Sequence, residues 1–263
     1  MVIARSVGIA GRNDLTDVLV VQLLFNMNLP QFSAPVPKNL DTDGRIGSKT
    51  LKAIEAFETR VMSLPASDQM VAPGDATIKA LLKGLPKGPS PEKLQLVMPR
   101  ALASKVKLYY EPLVAGMTRY KITTDLRMAH FIAQLAHESA SFRYTEELAS
   151  GDAYEGRTDL GNTQSGDGRR FKGRGLIQLT GRANYAEYSK AAGTDYVAKP
   201  QLLASDPFAA VDVACWFWHT RKLNALADAD DVKAVTRRIN GGYNGLDDRI
   251  EYLTRAKAVL GLR

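Results

Sequence analysis

Cysteine is all but absent. Cys215 is the one cysteine in 263 residues, so the chain cannot close an intramolecular disulfide, which suits folding in a reducing compartment. It lies in the apolar run Ala214-Cys215-Trp216-Phe217-Trp218, which predicts a buried, inert thiol. Histidine is nearly as scarce. His130 and His137 are seven residues apart and share a helix face, but His219 is remote and no cysteine joins them; no metal is expected. No stretch approaches the roughly 18 apolar residues that span a bilayer, so stable membrane insertion is not expected. The opening Met1-Val2-Ile3-Ala4-Arg5 is too short an apolar stretch for a secretory leader. The expectation is synthesis in a cytoplasm, with release by another factor. The basic residues are scattered, not set in a stripe with interleaved aromatics, which argues against nucleic acid as a partner.

What is present is an ordinary globular composition. Apolar residues make up 45% of the chain, enough to fill a core in each of two modest domains. Proline and glycine concentrate in Gly84-Leu85-Pro86-Lys87-Gly88-Pro89-Ser90-Pro91, which cannot continue a helix or a central strand. The chain therefore divides into a domain over 1–84, a linker over 85–95 and a larger domain over 96–263. Residues 1–84 carry 9 Lys and Arg against 8 Asp and Glu, whereas 85–263 carry 26 against 20. The larger domain thus holds most of the positive charge and would be drawn to a polyanion.

In the first domain, apolar residues at three- and four-residue spacing predict helices over 14–29 and 48–62. Between them lies the loop Asp41-Thr42-Asp43-Gly44-Arg45-Ile46-Gly47. Gly47-Ser48-Lys49-Thr50-Leu51-Lys52-Ala53-Ile54 is echoed 27 residues on by Gly74-Asp75-Ala76-Thr77-Ile78-Lys79-Ala80-Leu81. Each copy sets a glycine turn before a capping-type residue and an apolar stripe. In the second domain, Leu126 to Ala136 is apolar on most sides, as a central helix would be. Further helices are expected over 182–192, 207–219, 229–239 and 247–260. Residues 150–177 have no periodicity, and a loop that long in a compact domain is usually functional. The fold class is mainly α with little β: a small N-terminal three-helix bundle and a larger helical domain.

Several residues could carry chemistry. Glu138 ends the apolar helix, where apolar surroundings would raise its pKa and suit it to act as a general acid. Glycoside hydrolysis needs two carboxyl groups flanking one bond, and Glu146 and Glu147 follow. On one continuous helix Glu138 and Glu147 would stand roughly 13 Å apart along the axis. The chain must therefore leave the helix after Glu138 and fold back, with Phe142 and Tyr144 as anchors. In Gly173-Arg174-Gly175-Leu176-Ile177-Gln178-Leu179-Thr180 the alternation suggests a short strand with Gln178 and Thr180 on one face, suited to sugar hydroxyls and amides. Asn240-Gly241-Gly242-Tyr243-Asn244-Gly245 is a turn, after which Asp247 could cap the last helix.

Two stretches carry family resemblance. Asp43-Gly-Arg-Ile-Gly-x-x-Thr-x-x-Ala-Ile-x-x-Phe57 resembles the small three-helix peptidoglycan-binding domains of wall hydrolases, over about 8–84; Glu58 stands where that family usually has Gln. His137-Glu-Ser-x-x-Phe, the Glu146-Glu147 pair, Gly173-Arg-Gly-Leu-Ile-Gln-Leu-Thr-Gly-x-x-Asn-Tyr185 and Ile239-Asn-Gly-Gly-x-Asn-Gly-x-x-Asp-Arg249, in that order, resemble family-19 glycoside hydrolases over about 96–263. That family contains plant-type chitinases and lysozyme-like endolysins of bacteriophages, and the two stretches together resemble a modular endolysin. The resemblance implies a lysozyme-like catalytic domain, with Glu138 as general acid, Glu147 as the base that activates water and Thr180 helping to hold that water. It implies sugar binding by Gln178, Asn184, Tyr185, Asn240, Arg249 and Arg174. The sequence departs from the family after Glu147, where Leu148-Ala149-Ser150 replaces Asn-x-x-Tyr-Ser, and Glu155 is a rival second carboxylate.

The expected chemistry is therefore hydrolysis of β-1,4 bonds in peptidoglycan with inversion, the carboxyl groups standing about 6.5–9.5 Å apart to admit water. No cofactor is implied, and a monomer acting on the wall in the periplasm is expected. Chitin is the alternative substrate, since both polymers are β-1,4-linked amino sugars. A lytic transglycosylase, or a non-catalytic wall-binding or virion structural protein, are the other readings.

Overall fold

The computed structural model describes residues 1–262, which fall into two units: Met1–Arg100 joined by the stretch from Leu253, and Ala101–Tyr252.

The first unit is built on α1 (Leu15–Met27). Its apolar positions run nearly all round, and Val18, Val20, Val21, Leu24 and Phe25 are buried while Leu15 stays exposed. A helix apolar on most sides must be wrapped by its neighbours. These include α2 (Ser48–Ala56), prolonged by a wider helical turn over Phe57–Val61, and α3 (Ala76–Lys83). A two-residue antiparallel pair, β1 (Val7–Gly8) with β2 (Met70–Val71), matches Val7 to Val71 and Gly8 to Met70. The Asp41–Gly47 loop is fastened from inside. The buried Gln22 amide donates to Asp43 Oδ1 (3.0 Å) and the Arg45 carbonyl (3.2 Å), and accepts from the Gly44 N–H (3.0 Å). The two echoing segments differ in their caps. Asp75 Oδ1 accepts from the Ile78 N–H at 2.7 Å, whereas Ser48 is already inside α2 and Gly47 offers no side chain. Residues 91–95, read as linker, belong to α4 (Pro91–Val97), which packs on α1. Proline at the first helical position has no N–H to lose, and Ser90 Oγ caps Lys93 N at 3.2 Å.

The second unit is mainly helical: α5 (Ala103–Arg119), α6 (Asp125–Glu138), α7 (Asp167–Arg170), α8 (Arg182–Ala192), α9 (Leu202–Ser205), α10 (Pro207–Thr220), α11 (Leu223–Asp228), α12 (Val232–Asn240) and α13 (Leu246–Val259), which begins here. At its centre α10 packs on α5 and α9, while α6 packs on α11. Burying residues such as Val211, Val213, Trp216 and Trp218 contributes about 1.5–3 kcal/mol for each large side chain. Trp218 meets Phe131 of α6 edge-on, 5.3 Å between centroids. Cys215 is fully buried, and burial pushes its thiol well above the usual range. Gly116 of α5 stands against it, and a Cβ there would lie 2.9 Å from Sγ. The mainly helical class read from the sequence is the observed one. α11 was not foreseen, and α13 starts at Leu246, so Asp247 lies within its first turn instead of capping it. Among the described residues no helix is long and apolar enough to cross a membrane.

Candidate active site

Helix α6 delivers Glu138 at its last position. The helix stops because Ala140, Ser141 and Phe142 all take left-handed backbone, at φ of 48°, 59° and 65°. Side chains disfavour that region, so the reversal must be held, and it is. Ser139 Oγ donates to the Leu135 carbonyl (2.6 Å) and accepts from the Phe142 N–H (2.9 Å). The Phe142 ring is buried against Tyr109 at 5.3 Å. Tyr144, the other expected anchor, is half-buried, with its backbone N–H donating to the Ser139 carbonyl at 3.0 Å. The reversed chain then bridges Glu146 to Arg174 and sets Glu147 beside Gly173, whose carbonyl accepts from the Glu147 N–H at 2.9 Å.

The surroundings of Glu138 differ from the apolar setting anticipated. Its Oε1 accepts from Arg249 Nη2 at 2.5 Å, and that guanidinium is buried. Arg249 Nη1 donates in turn to Gln134 Oε1, one helical turn before Glu138. Arg249 Nε and Gln134 Nε2 are buried without a hydrogen-bond partner. A buried cation whose counter-ion is the candidate acid is costly to leave unpaired, so Arg249 orients Glu138. Beside it His137 Nδ1 lies 2.6 Å from Asp248 Oδ2. Gly245, at φ 70°, lets the chain pass the imidazole, since a Cβ there would come within 2.1 Å of His137 Cε1.

Glu147 is held by neutral donors. The Tyr154 hydroxyl donates to Oε1 at 3.0 Å and the Gly173 N–H to Oε2 at 3.1 Å. A Cβ on Gly173 would meet Gln178 Oε1 at 2.8 Å and Glu147 Oε2 at 3.3 Å, so Gln178 and Glu147 flank one glycine. Glu155, the rival, is engaged differently. Its two oxygens accept from the N–H groups of Gly166 and Gly168, each at 2.8 Å, at the start of α7. Its carboxylate thus holds the loop.

The segment read as a strand over Leu176–Thr180 is a tight turn. Arg174 and Leu179 exchange backbone hydrogen bonds of 3.1 and 2.8 Å, and the four residues between form the loop. Leu176 and Ile177 are buried consecutively and Gln178 is left-handed at φ 55°, neither of which fits strand alternation. Half-buried Thr180 donates to the Gln178 carbonyl (2.9 Å), and Asn184 to the Thr180 carbonyl (2.6 Å), which fixes this corner. Exposed Asn240 ends α12, its amide donating to the Asn244 carbonyl at 3.2 Å.

Arg174 and Tyr185 are buried in a supporting layer and not presented on the surface. Arg174 pairs with Glu146 at 3.0 Å and donates to the Arg170 carbonyl (2.7 Å), while the Tyr185 hydroxyl donates to the Lys172 carbonyl at 2.8 Å. Burial pushes the Tyr185 phenol up to about 12, against the pull of Arg174. Gln134 and Tyr154 escaped the sequence reading. Gln134 could have been found from its i, i+4 spacing to Glu138; Tyr154, in an aperiodic loop, gives no such signal. Among the described residues no cluster of His, Cys, Asp and Glu could hold a metal ion.

Residues 116–236 match the family model described as chitinase class I. A glycosyl hydrolase family 19 domain-containing protein of Haemophilus influenzae is 34% identical over 175 residues, covering 55% of this chain and 85% of that protein. An endochitinase of Arabidopsis thaliana is 37% identical over 124 residues, covering 47% of this chain and 42% of the relative. The chain thus spans less than half the length of that plant protein. The fold is shared with chitinase C of Streptomyces griseus, at a TM-score of 0.55 and 23% identity, over 66% of this chain and 92% of that one. With 85% of the Haemophilus relative covered at 34% identity, the chain belongs to glycoside hydrolase family 19.

Proposed function

We propose that this glycoside hydrolase cuts β-1,4 bonds of bacterial peptidoglycan by single displacement with inversion, as a modular endolysin made in a host cytoplasm and acting on the wall. The observation that carries the reading is the pair of carboxylates on either side of the 139–146 reversal. Glu138 is oriented by Arg249, and Glu147 is held by Gly173 and Tyr154. Glu138 protonates the leaving oxygen, and Glu147 takes a proton from water on the opposite face of the sugar. Thr180 helps hold that water, and Gln178, Asn184 and Asn240 meet the sugar's hydroxyls and amides. Arg249 acts on the substrate through Glu138, while Arg174 and Tyr185 support the site from behind. The first unit supports wall binding through its Asp41–Gly47 loop and the helices around it. Chitin is the second reading, favoured by the relatives named endochitinases.

The test is digestion of peptidoglycan and of chitin by wild type, Glu138→Gln and Glu147→Gln, with mass analysis of the products. The proposal expects reducing ends from peptidoglycan and a loss of about a hundredfold or more in each variant. Anhydro-sugar products would mean a transglycosylase, and release from chitin alone would select the second reading.

A further inference from the structure

Residues 150–177 were legible only as a long aperiodic loop, yet the structure shows it built with care around one side chain. A 3-10 turn over Asp152–Tyr154 presents Tyr154. The Tyr154 carbonyl accepts from Asn162 Nδ2 at 2.8 Å, Asn162 is fully buried, and its Oδ1 accepts from the Arg182 N–H at the start of α8 at 2.8 Å. Arg182 also pairs with buried Asp167 at the start of α7. Glu155, next in sequence, ties the same turn to Gly166 and Gly168. These bonds converge on a phenol aimed at Glu147.

We propose that Tyr154 is a positioning residue for Glu147: its hydroxyl, delivered by the wired 150–170 loop, fixes the carboxylate so that its free lone pairs face the attacking water. This rests on the reading of Glu147 as the base. One donor occupies each oxygen, Tyr154 on Oε1 and the Gly173 N–H on Oε2. The carboxylate is therefore held at both ends but keeps lone pairs free to accept a proton. Burial, then the bond to Glu147, pushes the phenol above its usual range, so it stays a donor throughout neutral pH. The charged groups nearby are engaged elsewhere. Lys172 (3.4 Å) and Arg174 (3.0 Å) pair with Glu146, Arg157 pairs with Asp159 (2.6 Å), Arg169 pairs with Asp152, and Tyr185 bonds to a backbone carbonyl. Lys172 Nζ also donates to the backbone carbonyls of Glu147, at 3.0 Å, and Ala149, at 3.4 Å.

The experiment compares wild type, Tyr154→Phe and Glu147→Gln for kcat, KM and the pH profile of kcat/KM on solubilised peptidoglycan, with thermal melts alongside. Phe keeps the ring and removes the donor. The expected result is a kcat lower by about tenfold to a hundredfold, as for loss of a hydrogen bond to a charged group. KM should stay within about twofold, because orienting a base affects the transition state more than substrate binding. The acid limb of the profile should move, because the variant removes a donor from the group that must take the proton. Unchanged kcat and pH limb, with Glu147→Gln inactive, would overturn the proposal. So would a fall in kcat that tracks a lowered Tm while the limb stays still, since that is loss of fold alone. Activity retained by Glu147→Gln would remove the base assignment itself and the proposal with it.

Discussion

Glu58 shows how one residue can look wrong in a sequence and be right in a fold. The resemblance read from the sequence leads one to expect Gln there, yet Glu58 is buried and both carboxylate oxygens are used. Oε1 accepts from Thr77 Oγ1 at 2.9 Å and Oε2 from the Ser67 hydroxyl. It ties the turn after α2 to the first turn of α3. Glu58→Gln keeps an acceptor for one of the two hydroxyls and should cost little, whereas Glu58→Ala leaves a buried hydroxyl without its partner, at about 1–3 kcal/mol. Thermal melts of the two variants check this, the Ala variant melting several degrees lower and the Gln variant near wild type. At this scale the sequence is a good guide where chemistry and position coincide. Glu138 stands out as a candidate because it ends an apolar helix, while its assigned role comes from the family resemblance. It says little about partners: that Arg249 reaches Glu138, 111 residues away, or that Glu155 accepts from the N–H groups of Gly166 and Gly168, depends on long-range folding.

Among the elements, helices with a clear apolar stripe were legible, and α8 runs over the residues expected, Arg182–Ala192. Where the reading failed, local pattern was ambiguous. Five residues of alternating character suggested a strand, but Gly175 at φ 76° and left-handed Gln178 close a turn. Short α11 offers too little periodicity to recognise, and Pro91 reads as a breaker although it starts α4. The 150–177 loop has no pattern because it is organised by side chains. Asp167 is its clearest acidic group: the Arg182 guanidinium holds its carboxyl below the usual range. A depressed folded-state pKa stabilises above the unfolded value, near 3.9, and that contribution is lost as pH falls through the folded value. Asp167→Asn should therefore melt below wild type at pH 7. The gap should narrow as pH drops below about 4, and a gap independent of pH would rule this out.

Over the whole molecule, positive charge is concentrated after residue 84. On the proposed wall substrate, which is anionic, a net positive hydrolytic region would gather by long-range attraction. Such attraction is screened within about 8 Å at physiological salt. Lysis of intact cells or walls should weaken as sodium chloride is raised from low to physiological concentration, while cleavage of a short neutral glycan should hardly change. Equal salt sensitivity in both assays would assign the effect to the site and not to capture.

The sealed thiol in α10 has a practical corollary. With Cys215 closed off between helices, the native surface presents no reactive thiol. Leu148 follows Glu147 directly and is 79% exposed. Leu148→Cys would thus give a single maleimide-reactive handle beside the candidate base, and a fluorophore there could report glycan arrival in real time without first stripping the protein of a native cysteine.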